Sequence, residues 1–329
     1  MKTEKNIFQN SDFRAIYNAV YDAQNLTTGA LELNLRCNLS CIFCSREAHI
    51  FRDSENLTTS EILSFVEDKD VVTFLGGEPL LDSRLPYLLE YCKKEGKKTA
   101  IISNGVPFSN PEICKNVLEN LDFLTLSISS SNPKTYNYLT DSNQFSLLQK
   151  AFENILKHPN ERVIHKSINI LLLNSNIENI QDVPLFIEKS GLHSVDLYSL
   201  LYPLYLGRLT DYPREYPDPS STFFQESLTG LCSLLKSKNK IIRFENMSSC
   251  FLPNVEADFV DSEECYGKHS FYLKKINDEL LYYSRDSIID TFKKSYKCEY
   301  CLKKDYCKGL PETVKILFED RITPLQGRD

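Results

Sequence analysis

The sequence lacks any long hydrophobic run. The longest apolar stretches, such as residues 168–173, are far too short to cross a bilayer. The first residues of the chain also contain no apolar signal core. These absences argue against a membrane-spanning or secreted protein, and we expect a soluble, cytoplasmic protein with no membrane partner.

Basic runs are missing as well. The 38 lysines and arginines are interspersed with 45 acidic residues, and the formal net charge is −7. A surface that binds nucleic acid needs clustered positive charge to neutralise phosphates. We therefore expect no nucleic-acid partner.

Cysteine, in contrast, is abundant. The chain has 11 cysteines, and an odd number cannot all pair in intramolecular disulfides. Without a secretion signal, the clustering of cysteines indicates metal ligation rather than a disulfide framework. Cys92, Cys114 and Cys232 lie among apolar neighbours in helical patterns, so we expect them to be core residues.

The pattern along the chain predicts an α/β fold. From residue 30 to about 200, short β-rich runs alternate with amphipathic helical stretches, which is typical of βα units and a parallel sheet. Five such units and a sixth strand predict a partial (β/α)6 TIM-like barrel. The strands are predicted at residues 30–35, 71–75, 99–103, 123–127, 167–173 and 194–200. The helices are predicted at residues 59–65, 84–94, 111–118, 145–156 and 180–189.

A change in composition predicts a boundary near residue 247. A Pro- and Tyr-rich stretch at residues 209–221 interrupts the alternation before a last predicted helix, 223–235, and strand, 241–245. The following segment is cysteine-rich and too irregular to build a large core, so we expect it to need a bound metal for stability. We predict an N-terminal segment (1–29), a core (30–246) and a small irregular cluster-binding extension (247–329).

The first cysteine cluster, Cys37-Asn-Leu-Ser-Cys41-Ile-Phe-Cys44, follows the first predicted strand. Three thiolates on a loop can hold one face of a cubane iron–sulfur cluster and leave the fourth iron open for a ligand. A structural zinc site is the alternative, with His49 as its fourth ligand.

The spacing resembles the hallmark of the radical S-adenosylmethionine (SAM) superfamily, CxxxCxxC with an aromatic residue before the last cysteine. Phe43 fills that aromatic position. The resemblance implies that Cys37, Cys41 and Cys44 hold a 4Fe–4S cluster whose open iron chelates SAM. It also implies reductive cleavage of SAM to a 5′-deoxyadenosyl radical, with electrons from a donor such as flavodoxin or ferredoxin.

Further motifs follow the next strands. Gly76-Gly77-Glu78-Pro79 comes after the second strand, where glycines let the backbone approach a ligand and Glu78 could accept a hydrogen bond from an ammonium group. An ordinary tight turn is the alternative. In the family this motif binds the SAM amino group. Because ligands bind at the carboxyl edge of parallel sheets, we expect the residues that follow the third and fourth strands to join it. These residues are Ser103, Asn104, Ser127 and Ser129.

The resemblance also assigns positions near SAM and shows one departure. Ser127 matches a serine near the SAM ribose, whereas Ser129 stands where the family often has an acid. Arg208, within residues 203–208, resembles the family's closing glycine-arginine stretch, and Asn176 resembles an asparagine after the fifth strand. Both could instead be turn residues.

The second cysteine cluster is Cys298-Glu-Tyr-Cys301-Leu-Lys-Lys-Asp-Tyr-Cys307. A zinc ribbon is one interpretation. The other is an auxiliary 4Fe–4S cluster of the SPASM or twitch type, a C-terminal extension of many radical SAM enzymes. Ser284 and Pro311 stand where that pattern has cysteines, so we expect one auxiliary cluster, with Cys265 as the favoured fourth ligand and Cys250 as the reserve.

This resemblance implies a radical SAM enzyme that modifies a peptide or protein, in the manner of maturation enzymes for ribosomally made peptides. Residues 1–29 are too few for a peptide-binding domain, so a separate leader-binding protein is a possible partner. A small-molecule radical SAM dehydrogenase is the alternative within the enzyme class. A metal-binding scaffold that does not cleave SAM is the alternative from another class.

Overall fold

The computed structural model describes residues 26–46, 57–162, 164–252, 255, 257–260, 270–276, 279–284, 292–322 and 324–325. Within these residues, none of the helices combines the length and the apolar character needed to cross a membrane.

Six consecutive strands form the centre of one sheet. Each strand pairs in parallel with the next one along the chain, as expected for βα units. The predicted α/β class is thereby confirmed. The strands are β1 Thr28–Glu32, β2 Val71–Leu75, β3 Lys98–Ser103, β4 Phe123–Ser127, β5 His165–Leu171 and β6 Val195–Leu201.

Helices connect the strands and begin at recognisable caps. The Thr58 side chain accepts from the Glu61 backbone N–H, and the Glu61 carboxylate accepts from the Thr58 N–H, which is a capping box for the first helix. Pro111 and Pro133 open two later helices behind the capping residues Asn110 and Asn132. The helices are α1 Thr59–Val66, α2 Leu85–Lys94, α3 Pro111–Leu118, α4 Pro133–Thr140, α5 Phe145–Lys157, α6 Asp182–Lys189, α7 Thr222–Ser237 and α8 Glu312–Phe318.

The sheet extends beyond the six central strands on both sides. β7 (Ile241–Glu245) and then β8 (Phe259–Val260) add in parallel next to β6. On the other side β9 (Ser270–Ile276) pairs in parallel with β1, and β10 (Glu279–Ser284) pairs antiparallel with β9. The described strands form a ten-stranded sheet and a two-stranded one, β11 (Phe292–Lys293) with β12 (Leu310–Pro311). The predicted extension therefore contributes two strands, β9 and β10, to the main sheet, and the boundary near residue 247 stays a prediction.

One face of the sheet packs against the helices and forms the core. Strand residues on this face, such as Phe74, Ile101 and Ile168, are completely buried, while their neighbours in sequence are partly exposed. This alternation is the period of two expected of strands with one face covered. The loops that leave the carboxyl ends of β1 to β6 all lie at the same edge of the sheet, and they carry the residues of the candidate site.

Candidate functional site

The cysteine loop after β1 is held by the end of α4. The backbone N–H groups of Ser40 and Ile42 donate to the carbonyls of Thr140 (3.1 Å) and Leu139 (3.0 Å). These carbonyls belong to the last turn of α4, where they lack partners within the helix. The loop between Cys37 and Cys44 therefore has a fixed position over the end of a helix.

Side chains of Asn38 and its neighbours brace the same loop. Asn104 donates through Nδ2 to Asn38 Oδ1 (2.9 Å), and Asn38 donates through Nδ2 to Gln144 Oε1 (3.0 Å). Asn104 Nδ2 also lies 3.8 Å from Cys37 Sγ, which accepts from the Leu39 N–H as well. The predicted site residue Asn104 is thus in contact with the first cysteine.

The two glycines after β2 lie directly against the backbone of the loop that follows β1. Gly77 N donates to Asn34 O (2.7 Å) and Glu78 N donates to Arg36 O (2.7 Å). A Cβ atom on Gly76, which has φ +139°, would come within 2.3 Å of Asn34 O, and one on Gly77 would come equally close to Arg36 O. What approaches these glycines is therefore the backbone that leads into Cys37, so they position the cysteine loop.

The segment after β6 closes over the loop from the other side. Gly207 has φ +63°, and a Cβ atom there would meet Cys44 O at 2.5 Å. The Arg208 N–H donates to Cys44 O (3.2 Å), its Nη1 donates to Ser40 O, and its Nη2 donates to Asp141 Oδ2 (2.9 Å). Arg208 was predicted to bind cofactor, and its guanidinium contacts the cysteine loop itself.

Glu78 is buried beneath the site, with 1% of its surface exposed. Its Oε1 accepts from Ser103 Oγ (2.8 Å) and from the Leu80 N–H (3.1 Å), and its Oε2 accepts from the Asn104 N–H (2.9 Å). Burial raises the pKa of Glu78 to about 7, and the three hydrogen bonds oppose that shift. Three predicted site residues therefore form one hydrogen-bonded unit.

A cavity of about 330 Å³ opens beside the cysteine loop. Five predicted site residues line it: Cys41, Phe43, Asn104, Ser127 and Ser129. The rest of the lining is Leu39, Ser130, Tyr136, Leu139 and Thr140. The structure thus brings together residues from the loops after β1, β3 and β4.

Asn176 holds the wall of this cavity. Its Nδ2 donates to Ser129 O and to Leu171 O, both at 2.7 Å, and its Oδ1 accepts from the Leu173 N–H (2.9 Å). Ser129 Oγ accepts from the Leu171 N–H (3.3 Å). The serine that replaces the family's acid is therefore buried and tied to the end of β5.

A second cavity, of about 490 Å³, lies in the C-terminal part of the chain. Cys250, Cys298, Cys301 and Cys307 all line it. Burial raises the pKa of Cys250 to about 12, and the nearby thiols of Cys307, Cys298 and Cys301 add to this effect. The favoured fourth ligand, Cys265, lies outside the described residues, whereas the reserve, Cys250, faces the other three.

Residues 31–187 match the family described as the Radical SAM superfamily. This segment contains the cysteine loop, the turn at residues 76–79 and the polar residues after β3 and β4. The chain carries a radical SAM domain. A curated relative, the probable GTP 3′,8-cyclase of Methanocaldococcus jannaschii, is 25% identical over 168 residues, which are 49% of this chain and 55% of the relative. The chain spans about half the length of the curated relatives it matches.

Solved structures resemble a larger part of the chain. Streptococcus suis SuiB bound to precursor peptide SuiA has a TM-score of 0.57 at 17% identity, covering 94% of this chain and 79% of SuiB. Native anSMEcpe with bound AdoMet and Cp18Cys peptide has a TM-score of 0.58 at 16% identity, covering 91% of this chain and 92% of that one. At these identities the likeness establishes the fold alone, the partial barrel of radical SAM proteins.

The cofactors of a radical SAM domain are a 4Fe–4S cluster and SAM, and the cysteine loop fits the cluster. Burial raises the pKa of Cys37 to about 11 and that of Cys41 well above its usual range, so these thiols need a nearby positive charge to ionise. Bound metal supplies that charge. Among the described residues, no group of three or more His, Cys, Asp or Glu side chains is arranged to hold a single metal ion. The thiols of Cys37 and Cys44 lie near enough to Cys41 to add to the rise of its pKa, so the three thiols are neighbours. His49 lies outside the described part of the chain.

Some features of the radical SAM domain have no counterpart in the sequence predictions. Helix α4 was missed, although it supplies the carbonyls that hold the cysteine loop and Tyr136 in the cavity wall. An available signal was Asn132-Pro133, a capping residue followed by proline at the first helical position. The partners of Glu78 could not be found from sequence, since they depend on the spacing between adjacent strands.

Proposed function

We propose that this protein is a radical SAM enzyme that modifies a peptide or protein. The observation that carries the proposal is the cavity beside the cysteine loop, in which Cys41 and Phe43 share one wall with the polar residues after β3 and β4. When bound, the cluster and SAM supply reductive cleavage of SAM to a 5′-deoxyadenosyl radical.

Different residues of the site hold the cluster and SAM. Cys37, Cys41 and Cys44 are the cluster ligands. The turn at residues 76–79 fixes the loop, and Glu78 provides the negative charge that a SAM ammonium group prefers. Ser127 and Ser129 offer hydroxyl groups within the same cavity.

The second cysteine set holds one auxiliary 4Fe–4S cluster in this proposal. A cubane cluster needs one ligand for each iron, and four cysteine side chains meet at the C-terminal cavity. We assign Cys250 as the fourth ligand because it lines the same cavity as Cys298, Cys301 and Cys307. A zinc site with these four thiolates is the alternative.

A peptide or protein substrate is favoured by how far the structural likeness extends. The neighbours SuiB and anSMEcpe, whose structures contain peptides, match more than nine-tenths of this chain, including the C-terminal part. Curated relatives named for small-molecule substrates, such as the probable GTP 3′,8-cyclase, match about half of the chain in sequence. They keep a small-molecule substrate as the second candidate. In either case the enzyme requires an electron donor such as flavodoxin or ferredoxin.

The function is tested by replacing Cys41 with alanine. After anaerobic reconstitution, dithionite-reduced wild-type enzyme should convert SAM to 5′-deoxyadenosine, and Cys41→Ala should abolish this reaction because the cluster loses a ligand. Cys92→Ala is the matched control, since Cys92 is buried in α2 away from both cavities. Near-normal 5′-deoxyadenosine from Cys41→Ala, or none from wild type, would refute the proposal.

The substrate class requires a separate experiment. The enzyme would be co-expressed with each short peptide encoded beside it, and the peptides would be analysed by mass spectrometry. A mass change that depends on Cys41 supports peptide modification. Peptides that stay unchanged while an added nucleotide or aminocyclitol is consumed would establish the small-molecule alternative.

A further inference from the structure

Tyr136 carries a buried hydroxyl group that no assigned role explains. The residue lies in α4 with 2% of its surface exposed, and its Oη has no hydrogen-bond partner within the described residues. Burying a hydroxyl group without a partner costs free energy, whereas phenylalanine would fill the same space without that cost. The presence of tyrosine therefore calls for an acceptor outside the described residues.

The ring of Tyr136 has a fixed position. It packs edge-on against Phe145, with 5.3 Å between the ring centroids and an interplanar angle of 66°. The helix that carries it is tied to the cysteine loop through Leu139 and Thr140. The hydroxyl is therefore preorganised and does not have to move to meet a partner.

The surroundings of the hydroxyl point to the sulfur atoms of the cysteine loop. Tyr136 lines the cavity together with Cys41, and the charged or ionisable groups that act on it are Cys41, Glu78 and Cys37. Glu78 accepts three hydrogen bonds from other groups and does not line the cavity, whereas Cys41 does. The side chain of Asn104 approaches the sulfur of Cys37, whereas none of the side-chain hydrogen bonds described above is donated to the sulfur of Cys41.

The hydroxyl is a donor under all working conditions. Burial raises the pKa of Tyr136 above its usual range, and the neighbouring Cys41, Glu78 and Cys37 add to the shift. The phenol therefore keeps its proton at neutral pH.

We propose that the Tyr136 hydroxyl donates a hydrogen bond to the iron–sulfur cluster on its Cys41 side, to the thiolate or to a cluster sulfide. Hydrogen bonds to the sulfurs are one of the factors that set the reduction potential of such clusters. The bond stabilises the more negative, reduced cluster, so Tyr136 makes the cluster easier to reduce. This inference rests on the proposed cofactor site, and it adds Tyr136 as a positioning and tuning residue.

The test is the reduction potential of the reconstituted holoenzyme. Tyr136→Phe removes only the hydroxyl and keeps the ring, so the fold and the iron content should stay intact. In a redox titration followed by electron paramagnetic resonance without SAM, the variant should show a lower potential. A loss of one charge-assisted hydrogen bond corresponds to about a tenfold change in the ratio of reduced to oxidised cluster, or about 59 mV for one electron.

Tyr138→Phe is the matched control. Tyr138 lies in the same helix, but its hydroxyl donates to Glu215 Oε1 (2.9 Å) and it does not line the cavity. Its removal should leave the potential unchanged. If the cluster failed to assemble in the wild-type protein, the proposed function would be wrong. A cluster that assembles but keeps its potential in Tyr136→Phe would contradict only the role of Tyr136.

Two outcomes would overturn the inference. If Tyr136→Phe keeps the wild-type potential but binds SAM more weakly in a calorimetric titration, the acceptor is SAM and not the cluster. If neither quantity changes, the ring serves packing alone. A thermal unfolding scan of the cluster-free protein checks the premise: removal of an unpartnered hydroxyl should not lower the melting temperature, and a clear drop would show that a protein partner was lost.

Discussion

Glu78 ties the loops after β2 and β3 together. Its carboxylate accepts from Ser103 and Asn104 across the gap between the strands, as well as from Leu80 in its own turn. A carboxylate with two acceptor oxygens suits three donors, whereas an amide has one acceptor oxygen and an N–H₂ group that would face another donor. The geometry of the SAM side of the site therefore depends on this one charged group.

Replacement of Glu78 by glutamine should weaken SAM binding. The proposed contact with the ammonium group becomes weaker, and the positions of Ser103 and Asn104 change with it. A charge-assisted hydrogen bond is worth about 1.5–3 kcal/mol, so we expect the Kd for SAM to rise roughly ten- to a hundredfold. Calorimetric titration of the reconstituted protein measures this change.

Asp82→Asn is the control for Glu78→Gln. Asp82 is a buried carboxylate in the same turn region, but it is paired with Arg84 and makes no hydrogen bond to Ser103 or Asn104 among the described contacts. The Asp82→Asn variant should bind SAM with nearly the wild-type affinity. Both variants should keep the wild-type iron content. If Glu78→Gln also keeps its SAM affinity, the motif is a structural turn.

The residues of this site were easier to predict than their contacts. The cysteine spacing and the turn at residues 76–79 are local motifs that can be recognised in sequence. The guanidinium of Arg208 donates hydrogen bonds to Ser40 and Asp141, which lie 168 and 67 residues earlier in the chain. No local sequence pattern encodes contacts over such separations.

The cysteine loop is supported by three separate elements. The end of α4 accepts its backbone N–H groups, the glycine turn after β2 holds the segment before Cys37, and the segment after β6 covers Cys44. None of these contacts involves the three thiols proposed to bind iron. The loop can therefore keep one conformation whether or not the cluster is bound.

Gly76→Ala should damage this support. A Cβ atom would lie 2.3 Å from Asn34 O, and the backbone at φ +139° is unfavourable for alanine. We expect a lower melting temperature and less iron per chain after reconstitution, because the loop before Cys37 must shift. Iron analysis and a thermal unfolding scan measure both effects.

Gly96→Ala is the control that separates backbone strain from a steric clash of the new Cβ atom. Gly96 also has a positive φ, +70°, but a Cβ atom there would meet nothing within 4 Å. It should cost about 1 kcal/mol through backbone strain alone and leave the iron content unchanged. Equal iron loss in both variants would show that general instability, and not the contact with Asn34, explains the effect.

The regular elements were predicted most reliably where the local pattern is strong. Strands β2, β4 and β7 and helix α3 have the predicted bounds, because apolar runs or capping residues mark their ends. Helix α4 was missed because its sequence, Pro-Lys-Thr-Tyr-Asn-Tyr-Leu-Thr, has few aliphatic residues. Its buried residues gain their packing from other elements: Tyr136 packs against Phe145 of the next helix, and Leu139 belongs to a cluster with Ile42, Leu173 and Leu209.

At the scale of the whole molecule, the proposed cofactor content rests on two cavities lined by cysteines. The first contains Cys41, and the second contains four cysteines. We expect two 4Fe–4S clusters and about eight irons per chain after anaerobic reconstitution. Twelve irons would mean that further ligands exist, and zinc together with four irons would identify the second site as a zinc ribbon.

The fourth auxiliary ligand can be settled by two variants. Cys250→Ala should remove about half of the iron, because Cys250 shares the cavity with the other three cysteines. Cys265→Ala should keep full iron content. Cys232→Ala, a buried cysteine of α7 outside the cavity, is the control for loss of a thiol. The opposite result for the first two variants would restore Cys265 as the ligand.

Simultaneous replacement of Cys298 and Cys301 by alanine should separate the two sites functionally. The iron content should halve and residues 250–310 should become more accessible to protease, because a metal site in an irregular segment contributes to folding. Formation of 5′-deoxyadenosine without substrate should survive, while substrate modification should fail. Complete loss of SAM cleavage would show that the two sites are not independent.

The partners of the outer strands could not have been predicted. The hairpin β9–β10 was expected as part of a separate extension, but β9 pairs with β1 from Thr28 to Leu31. Strand patterns indicate which face is buried, and they do not reveal which distant strand lies alongside. The ranking of Cys265 before Cys250 as the fourth auxiliary ligand stays a prediction, because Cys265 lies outside the described residues.

The position of β1 between β2 and β9 has a consequence for the order of assembly in the cell. A chain is synthesised from its N-terminus, and the second partner of β1 is made about 240 residues after β1 itself. Until then the strand that leads into Cys37 has an open edge. The sheet beside the cysteine loop is therefore completed only after β9 has been synthesised, whereas the elements that hold the loop itself are all made earlier.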